Sequence, residues 1–179
     1  MRLTLTCCVV FALTAVLGWL TWPYLRHTWN VVGLMRDDMP VPLPVPVQGV
    51  RARQVADTWG GPRSGRRKHE GSDIFAKCGT PVVTSTRGLV LRVGANRLGG
   101  NTVVVLGPEG YWHYYAHLSA YADVGRGDWV EAGRLIGFVG DTGNARGTPC
   151  HLHYGIYTKG GAVNPYAFLR PLAVAPSAR

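Results

Sequence analysis

The sequence predicts a mainly β domain, built from antiparallel hairpins, that follows a single N-terminal helix. After residue 50 the chain is rich in Val, Gly and Thr and contains short alternating runs, among them "TPVVTS", "GLVLRVG", "NTVVVLG" and "RLIGFVG". Turns that contain glycine separate these runs at the intervals expected of hairpins. Apart from one or two helical turns near residues 54–57 and 166–169, the sequence after residue 50 shows no amphipathic helical period.

The N-terminal helix is predicted from an uncharged apolar stretch, "LTLTCCVVFALTAVLGWLTWPYL", at residues 3–25. About 20 helical residues cross a hydrocarbon layer of about 30 Å. Aromatic residues gather at the C-terminal end of this stretch, where their rings suit the headgroup boundary: Trp19, Trp22 and Tyr24. A cleaved signal peptide is the alternative, but the charged start is only Met1-Arg2 and no A-x-A site closes the apolar run. We therefore expect an uncleaved transmembrane signal anchor at residues 1–25.

A proline ladder between the helix and the hairpins predicts the order of the domains. Prolines at positions 40, 42, 44 and 46 favour an extended, semi-rigid spacer. We therefore expect a linker at residues 26–46, the β domain at residues 47–170 and a flexible C-terminal tail at residues 171–179.

The charge of the chain indicates acidic surroundings. A formal net charge of +9 favours a polyanionic partner, whether nucleic acid, anionic lipid or an acidic cell-wall polymer. The basic residues are scattered, apart from one cluster at Arg63, Arg66, Arg67 and Lys68, and no aromatic residues interleave with them to stack bases. We expect no nucleic-acid partner, and charge by itself leaves lipid and cell wall open.

Histidines occur in three short motifs that suit a metal site. In "CHLHYG", a strand would place His151 and His153 on the same face. The segment "KHEGSDIFA" contains His69 and Asp73, and "YYAHLS" contains His117. A catalytic zinc takes three protein ligands and keeps one open position, and two imidazoles with one carboxylate meet that requirement. Spacing alone leaves open that these are surface or structural histidines.

The same strand alternation makes a prediction about the neighbours of His117. Tyr115 and His113 stand two and four residues before it, so a regular strand would place all three side chains on one face. Tyr115 is then a candidate hydrogen-bond donor to an oxyanion, although a half-buried strand aromatic is an equal interpretation.

The three motifs together resemble a known family. "HEGSD", "YAHLS" and "HLHYGIY" occur in the order of the H-x-x-x-D, Y-x-H and H-x-H motifs of the lysostaphin-type, or LytM-like, zinc metallopeptidases that cut peptidoglycan cross-bridges. The glycine-rich approach "GDWVEAGRLIGFVGDTGNARGTPCHLH" and the closing segment "VNPYAFL" also resemble that family. The resemblance covers roughly residues 45–170 and implies a hairpin-rich peptidase domain.

Carried over by position, the resemblance implies that His69, Asp73 and His153 hold one zinc ion per chain and that His117 and His151 form a catalytic pair. Zinc lowers the pKa of a water to about 7 and polarises a carbonyl. One histidine would then take a proton while the other steadies the oxyanion, and the sequence does not say which does which.

Three further residues are candidate substrate contacts, each with a structural alternative. They are Tyr115, Asn101 and Arg63. Asn101 stands where this family's glycine-rich segment often carries polar side chains into the groove, but a turn residue is an equal interpretation. Arg63 would meet substrate carboxylates, or would simply belong to a solvated basic loop.

The two cysteines of the β domain predict a disulfide. If the strand that begins at Asp73 pairs antiparallel with the H-x-H strand, as shared zinc ligation implies, a register that matches His153 with Phe75 sets Cys150 opposite Cys78. Opposite residues have Cα atoms about 4.5–5.5 Å apart, which suits a disulfide. A Cys78–Cys150 bond would indicate an oxidising compartment. Two free thiols near the zinc would instead suggest a fourth ligand.

These expectations lead to two functional hypotheses. The first is a zinc endopeptidase anchored in the cytoplasmic membrane, with its catalytic domain on the extracytoplasmic side, that cleaves D-alanyl-diaminopimelate cross-links of peptidoglycan. A glycine bridge as substrate stays open, as does a regulatory protein partner. The second is a non-catalytic module of the same fold that binds or activates another cell-wall hydrolase. Members of that kind have typically lost ligands or catalytic histidines, and here all five positions are present. A β domain with incidental histidines is disfavoured by the ordered motifs.

Overall fold

The computed structural model describes residues 2–170, with the side chains of residues 2–10 and 64 left out. The predicted flexible tail, residues 171–179, lies outside the described residues. The domain is mainly an antiparallel β sheet, as the sequence predicts. Its nine strands are β1 (Ser72–Phe75), β2 (Pro81–Val83), β3 (Gly88–Asn96), β4 (Gly100–Leu106), β5 (Trp112–Tyr121), β6 (Trp129–Val130), β7 (Leu135–Val139), β8 (His151–Thr158) and β9 (Gly161–Val163).

The strands form one sheet in the order β1-β8-β5-β4-β3-β6, in which every pairing is antiparallel. Strand β7 pairs with β5 and with β2, and β9 continues the sheet from β8 as a hairpin. This order places β8, which carries the H-x-H motif, between β1 and β5. The three histidine motifs of the sequence therefore lie on three adjacent strands.

The core lies on one face of the central strands. On β8, Leu152, Tyr154 and Ile156 are fully buried, and the rings of Tyr115 on β5 and Tyr154 pack at 5.2 Å between centroids. Burying one such aliphatic side chain contributes about 1.5–3 kcal/mol. Because side chains alternate along a strand, His151 and His153 take the opposite face, which we call the site face.

The N-terminal helix α1 spans Arg2–Arg36, eleven residues beyond the end that the apolar stretch predicts. The predicted membrane span includes residues 1–10, whose side chains are outside those described. Within the part of the chain that the structure describes, no helix has both the length and the apolar character needed to cross a membrane. A short helix α2, Pro165–Leu169, closes the domain, and the Asn164 side chain accepts a hydrogen bond of 2.9 Å from the Tyr166 amide at its start.

The proline-rich segment after α1 is extended but packs along the β domain. The Met39 amide donates a 2.8 Å hydrogen bond to the Glu109 carboxylate, and the Leu43 amide donates one of 2.8 Å to the Phe168 carbonyl. Leu43 is only 2% exposed and belongs to the hydrophobic core. The proline-rich segment thus packs Leu43 against the β domain and does not hold the domain apart from the helix.

The Cys78–Cys150 disulfide is present, with Cα atoms 5.3 Å apart, but the predicted strand register is wrong. Strand β1 pairs Phe75 with His151, so the register differs by two residues from the expected one. The strand ends at Phe75, and the turn that follows it carries Cys78 back to Cys150. A two-residue change keeps every strand side chain on its predicted face, while Cys78 reaches Cys150 from the turn, outside the paired strands.

Candidate active site

Three predicted metal ligands converge on the site face of β1 and β8. The register sets Asp73 directly opposite His153, and His69 precedes β1 by three residues. His69 Nε2 lies 2.9 Å from His153 Nδ1, and Asp73 Oδ1 lies 3.0 Å from each of these nitrogens. His69 and Asp73 are buried, and only 15% of the His153 side chain is exposed. The three donor atoms therefore surround one point that is closed to most solvent.

Thr58 holds two of these ligands in place. The His69 Nδ1–H donates a 2.6 Å hydrogen bond to the Thr58 carbonyl, and the Asp73 amide donates one of 2.9 Å to Thr58 Oγ1. A carbonyl oxygen only accepts, so the proton of His69 is on Nδ1 and the lone pair of Nε2 faces the triad. Such a hydrogen bond on the far nitrogen is typical of histidines that bind metals. Sequence reasoning missed Thr58, because no local pattern marks it.

The donor set fits a zinc ion. Zinc binds neutral imidazole nitrogen at about 2.0–2.1 Å and carboxylate oxygen at about 2.0–2.2 Å, so one ion can reach all three atoms. Burial lowers the pKa of His153, which favours the neutral ring. Burial raises the pKa of the Asp73 carboxyl, but the close His153 and His69 rings outweigh it and hold this pKa well below the usual range. Asp73 is thus ionised and His153 favours the neutral ring, as metal binding requires.

The two predicted catalytic histidines lie beside the triad. His117 and His151 have ring centroids 5.0 Å apart, and the His117 ring is 5.8 Å from that of His153. His117 Nδ1–H donates a 2.8 Å hydrogen bond to the Thr142 carbonyl, and His151 Nδ1–H donates one of 2.8 Å to the Pro149 carbonyl. In its neutral form, each of the two rings therefore has a lone pair on Nε2. His151 Nε2 lies 3.9 Å from Asp73 Oδ1, next to the metal ligands.

Burial also decides the charge of one member of this pair. Burial lowers the pKa of His117 to about 4. The hydrogen bond to the Thr142 carbonyl raises this pKa, but by less than burial lowers it. His117 is therefore neutral at pH 7, and its Nε2 is able to take a proton.

The prediction for Tyr115 and His113 is wrong, because the alternation of β5 reverses before His117. His117 has a φ of 63°, in the left-handed region, and the pairing of β5 with β4 shifts register beside it. His117 therefore faces the site, while His113 and Tyr115 are fully buried on the core face. The Tyr115 hydroxyl accepts a 3.0 Å hydrogen bond from the Ser85 amide, so it is unavailable to a substrate. The motif "YYAHLS" contains no glycine that would have signalled this bulge.

Asn101 supports His117 instead of pointing into an open groove. Its side-chain amide donates a 3.0 Å hydrogen bond to the Leu118 carbonyl, and its backbone amide donates one of 3.0 Å to Thr142 Oγ1. Thr142 Oγ1 also donates to the Leu118 carbonyl at 2.9 Å. Asn101 and Thr142 thus connect strand β4, strand β5 and the loop after β7. The carbonyl of Thr142 in that loop accepts the hydrogen bond from His117.

Arg63 lies at the site but contacts a predicted ligand. Its guanidinium forms an ion pair with Asp73 Oδ2, on the side of the carboxylate away from the two histidines, and 40% of the Arg63 side chain remains exposed. The hairpin that carries it is held by a 2.9 Å hydrogen bond from the Arg63 amide to the Arg67 carbonyl. In this structure the arginine therefore neutralises Asp73, whereas the sequence predicts a contact with substrate carboxylates.

An antiparallel sheet that gathers a His-Asp-His triad and two further histidines on one face defines a metallopeptidase type of site. The family model "Peptidase family M23" matches residues 67–165, which is more than half of the chain. The chain therefore belongs to peptidase family M23, and the resemblance seen in the sequence motifs is confirmed.

Curated relatives agree with this assignment. The chain is 42% identical over 125 residues to the L-Ala–D-Glu endopeptidase of Bacillus subtilis, a match that covers 63% of this chain and 38% of that protein. It is 37% identical over 105 residues to the peptidoglycan DD-endopeptidase ShyA of Vibrio cholerae, covering 59% of this chain and 24% of that protein. The chain thus spans well under half the length of these relatives.

Solved structures show the same fold. The catalytic domain of lysostaphin from Staphylococcus simulans superposes with a TM-score of 0.58 at 32% identity, covering 64% of this chain and 90% of that one. Helicobacter pylori Csd3 superposes with a TM-score of 0.60 at 28% identity, covering 78% of this chain and 36% of that one.

Proposed function

We propose that this chain is a zinc metalloendopeptidase that hydrolyses peptide cross-links of bacterial peptidoglycan. The observation that carries the proposal is the convergence of His69, Asp73 and His153, within 3.0 Å of one another, beside two histidines whose Nε2 atoms are free. The names of the relatives support the substrate class, because they include a peptidoglycan DD-endopeptidase and an L-Ala–D-Glu endopeptidase.

His69, Asp73 and His153 would hold one zinc ion per chain. When bound, zinc supplies a Lewis acid for the scissile carbonyl and an activated water at neutral pH. Arg63 balances the charge of Asp73 and leaves Oδ1 directed at the site. Thr58 keeps His69 in the tautomer that presents Nε2.

The catalytic pair divides two proton tasks. His117 is neutral at pH 7 and takes the proton of the attacking water at Nε2. His151 has its Nδ1–H bound to the Pro149 carbonyl, so it donates through Nε2 only in its protonated form. In that form it stabilises the developing oxyanion, and His117 passes the proton that it took from the water to the leaving amine. Both rings are held by backbone carbonyls, so little reorganisation accompanies the reaction.

For substrate we favour the D-alanyl-diaminopimelate cross-link over a glycine bridge. The net charge of +9 suits a polymer rich in carboxylates. The relatives themselves are named for different bonds, among them glycyl-glycine in ALE-1 of Staphylococcus capitis, so the bond needs a direct test.

We further propose that residues 1–25 anchor the chain in the cytoplasmic membrane with the β domain on the extracytoplasmic side. The uncharged stretch at residues 3–25 supports the anchor, and the Cys78–Cys150 disulfide supports an oxidising compartment. The net charge would keep the domain close to the anionic wall, and a regulatory protein partner stays open.

Cleavage is tested with the purified chain and isolated sacculi. We expect about one zinc per chain and release of cross-link fragments that mass analysis identifies. The variant His151→Ala should keep its zinc and lose roughly 10²–10⁴-fold of the cleavage rate, because it removes one acid-base group. Zinc binding without any release by the unmodified chain would instead point to a non-catalytic module.

The anchor is tested by fractionation of cells that express the chain with and without residues 1–25. The full chain should stay with membranes after alkaline carbonate washing, and the shortened chain should not. Release of the full chain by carbonate would rule out a membrane-spanning anchor.

A further inference from the structure

An exposed aromatic ring lies on the site face of β1. Phe75 is two residues after Asp73, so the alternation of the strand directs both side chains to the same face. Its side chain is 56% exposed, while Ile74 on the opposite face is buried in the core. Phe75 is absent from the hydrophobic core and from the apolar residues packed against it. Stability of the fold therefore does not explain a phenyl ring at this position.

The ring of Phe75 extends the row of catalytic side chains. Phe75 pairs with His151 in the sheet, and the two ring centroids are 5.2 Å apart at an interplanar angle of 42°. On its other side, His151 has the ring of His117 at 5.0 Å. The imidazole of His151 thus lies between the ring of His117 and the solvent-exposed phenyl ring of Phe75.

The distance from His151 determines what Phe75 is able to touch. An extended peptide advances about 3.3 Å per residue, so a ring 5.2 Å from the His151 ring is within one to two residues of a scissile bond held at the catalytic pair. A substrate side chain next to that bond would meet the phenyl face. An apolar side chain gains from this contact, whereas glycine has no side chain to place there.

We propose that Phe75 is a specificity-determining residue that contacts the methyl group of an alanyl residue beside the scissile bond and so selects alanyl cross-links over glycine bridges. This inference rests on the proposed endopeptidase function. One methyl group in an apolar contact discriminates substrates by about tenfold or more. Phe75 thereby supplies a preference for alanyl bonds that the net charge alone does not provide.

The experiment uses the full chain loaded with zinc and two matched cross-linked peptides. One peptide carries D-alanine before the diaminopimelate bond, and the other carries glycine at that position. We expect the unmodified chain to favour the alanyl peptide in kcat/KM by about tenfold or more. Phe75→Ala should lower kcat/KM for the alanyl peptide by about tenfold and for the glycyl peptide by less than about twofold. Phe75→Leu, which keeps an apolar side chain, should retain most of the preference.

Trp112→Ala is the matched control. Trp112 is an exposed aromatic side chain, at 52%, on β5, four residues from the partner of His153 and thus about 13 Å along the strand. Its removal should leave the ratio of the two kcat/KM values unchanged. Zinc content and the denaturation midpoint are measured for every variant, and they should match those of the unmodified chain.

The outcomes separate the inference from the proposed function. If the unmodified chain cleaves neither peptide but releases fragments from sacculi, the inference fails and the endopeptidase function stands. If it also releases nothing from sacculi, both fail. If the chain cleaves both peptides but Phe75→Ala lowers the two kcat/KM values equally, Phe75 supports His151 and does not select the substrate. The inference is also overturned if Trp112→Ala changes the ratio of the two kcat/KM values as much as Phe75→Ala does.

Discussion

Three histidines of the site have their Nδ1–H bound to backbone carbonyls. His69 donates to Thr58, His117 to Thr142 and His151 to Pro149, at distances between 2.6 and 2.8 Å. Since a carbonyl oxygen never donates, Nδ1 carries a proton in each ring, and in the neutral ring the lone pair of Nε2 is directed into the site. The fold thus selects the tautomers before a metal or a substrate arrives, and this preorganisation favours catalysis.

Gly71 leaves room for the His153 ring, because its backbone lies against that ring. A Cβ atom at this position would be 2.5 Å from His153 Cε1 and 2.8 Å from Nε2. We expect Gly71→Ala to displace the ring and to weaken zinc binding at least about tenfold, as loss of ligand orientation does at other zinc sites. Competition with a chromogenic chelator measures the affinity.

Gly94→Ala is the control for that substitution. A Cβ atom at Gly94 would have no heavy atom within 4 Å, so its zinc affinity should equal that of the unmodified chain. Full zinc affinity in Gly71→Ala would show that the ring has room to move without losing the ligand geometry.

His113 makes the stability of the domain sensitive to acid. Burial lowers the pKa of this fully buried ring to about 4 from 6.5. Between these values the unfolded chain binds a proton and the folded chain does not, so the free energy of unfolding is highest above pH 6.5 and falls as the pH approaches 4. The difference between the two pKa values corresponds to about 3 kcal/mol in the free energy of unfolding.

The variant His113→Gln tests this dependence, because a glutamine stays neutral over the whole range. Urea unfolding is measured at pH 7.5 and pH 4.5 with a chelator present, so that release of a metal does not contribute. The loss of stability between the two pH values should be smaller in the variant by about 2–3 kcal/mol. Equal losses in the two proteins would show that His113 is not the titrating group.

At the scale of elements, β8 organises the site because two of the strands that pair with it, β1 and β5, also carry predicted site residues. Strand β1 brings Asp73 opposite His153, and β5 brings Ala116 opposite the same residue, just before His117. The H-x-H alternation predicts correctly that His151 and His153 share a face. The register of β1 is not predictable from that pattern, because a shift by two residues preserves every face.

The disulfide connects the turn after β1 to Cys150, the residue just before the H-x-H strand β8. Replacing both cysteines, Cys78→Ser with Cys150→Ser, should lower the free energy of unfolding by about 2–4 kcal/mol, since the bond closes a loop with a sequence separation of 72. Urea unfolding without reductant measures the difference. Added reductant should destabilise the unmodified chain and leave the double variant unchanged, and a reductant effect on both proteins would contradict the assignment.

Strand β5 shows where sequence pattern fails at this scale. A regular strand would place His113, Tyr115 and His117 together, but the left-handed backbone of His117 separates it from the other two. The bulge is held by contacts between distant loops. Gly100 and Gly143 approach so closely that a Cβ atom on either would lie within 2.5 Å of the backbone of the other. Such contacts come from packing, and no local signal in "YYAHLS" reports them.

For the whole molecule, the segment after α1 is part of the folded domain. Leu34 at the end of the helix is fully buried, and Leu43 and Val47 belong to the core. An ion pair between Asp37 and Arg87 adds a further contact. The helix therefore meets the β domain through packed side chains, and the proline-rich segment does not separate the two.

The variant Leu43→Ala tests this packing. Deletion of a buried leucine side chain in a core costs about 2–4 kcal/mol, so the free energy of unfolding should fall by that amount. Val41→Ala, at a side chain that is 56% exposed in the same segment, should change the stability by less than about 0.5 kcal/mol. Equal small effects of both substitutions would mean that residues 40–46 act as a free linker.

The sequence by itself determined the mainly β class, the short helix near residue 166 and the residue types that suit a zinc site. These follow from local periodicity, from turn glycines and from the donor chemistry of His and Asp, none of which needs a distant contact. Only the tertiary structure decided that Tyr115 faces the core, that Arg63 pairs with Asp73 and that Phe75 stands exposed beside His151. Strand register, bulges and loop contacts depend on packing between segments far apart in the chain, so a local pattern does not encode them.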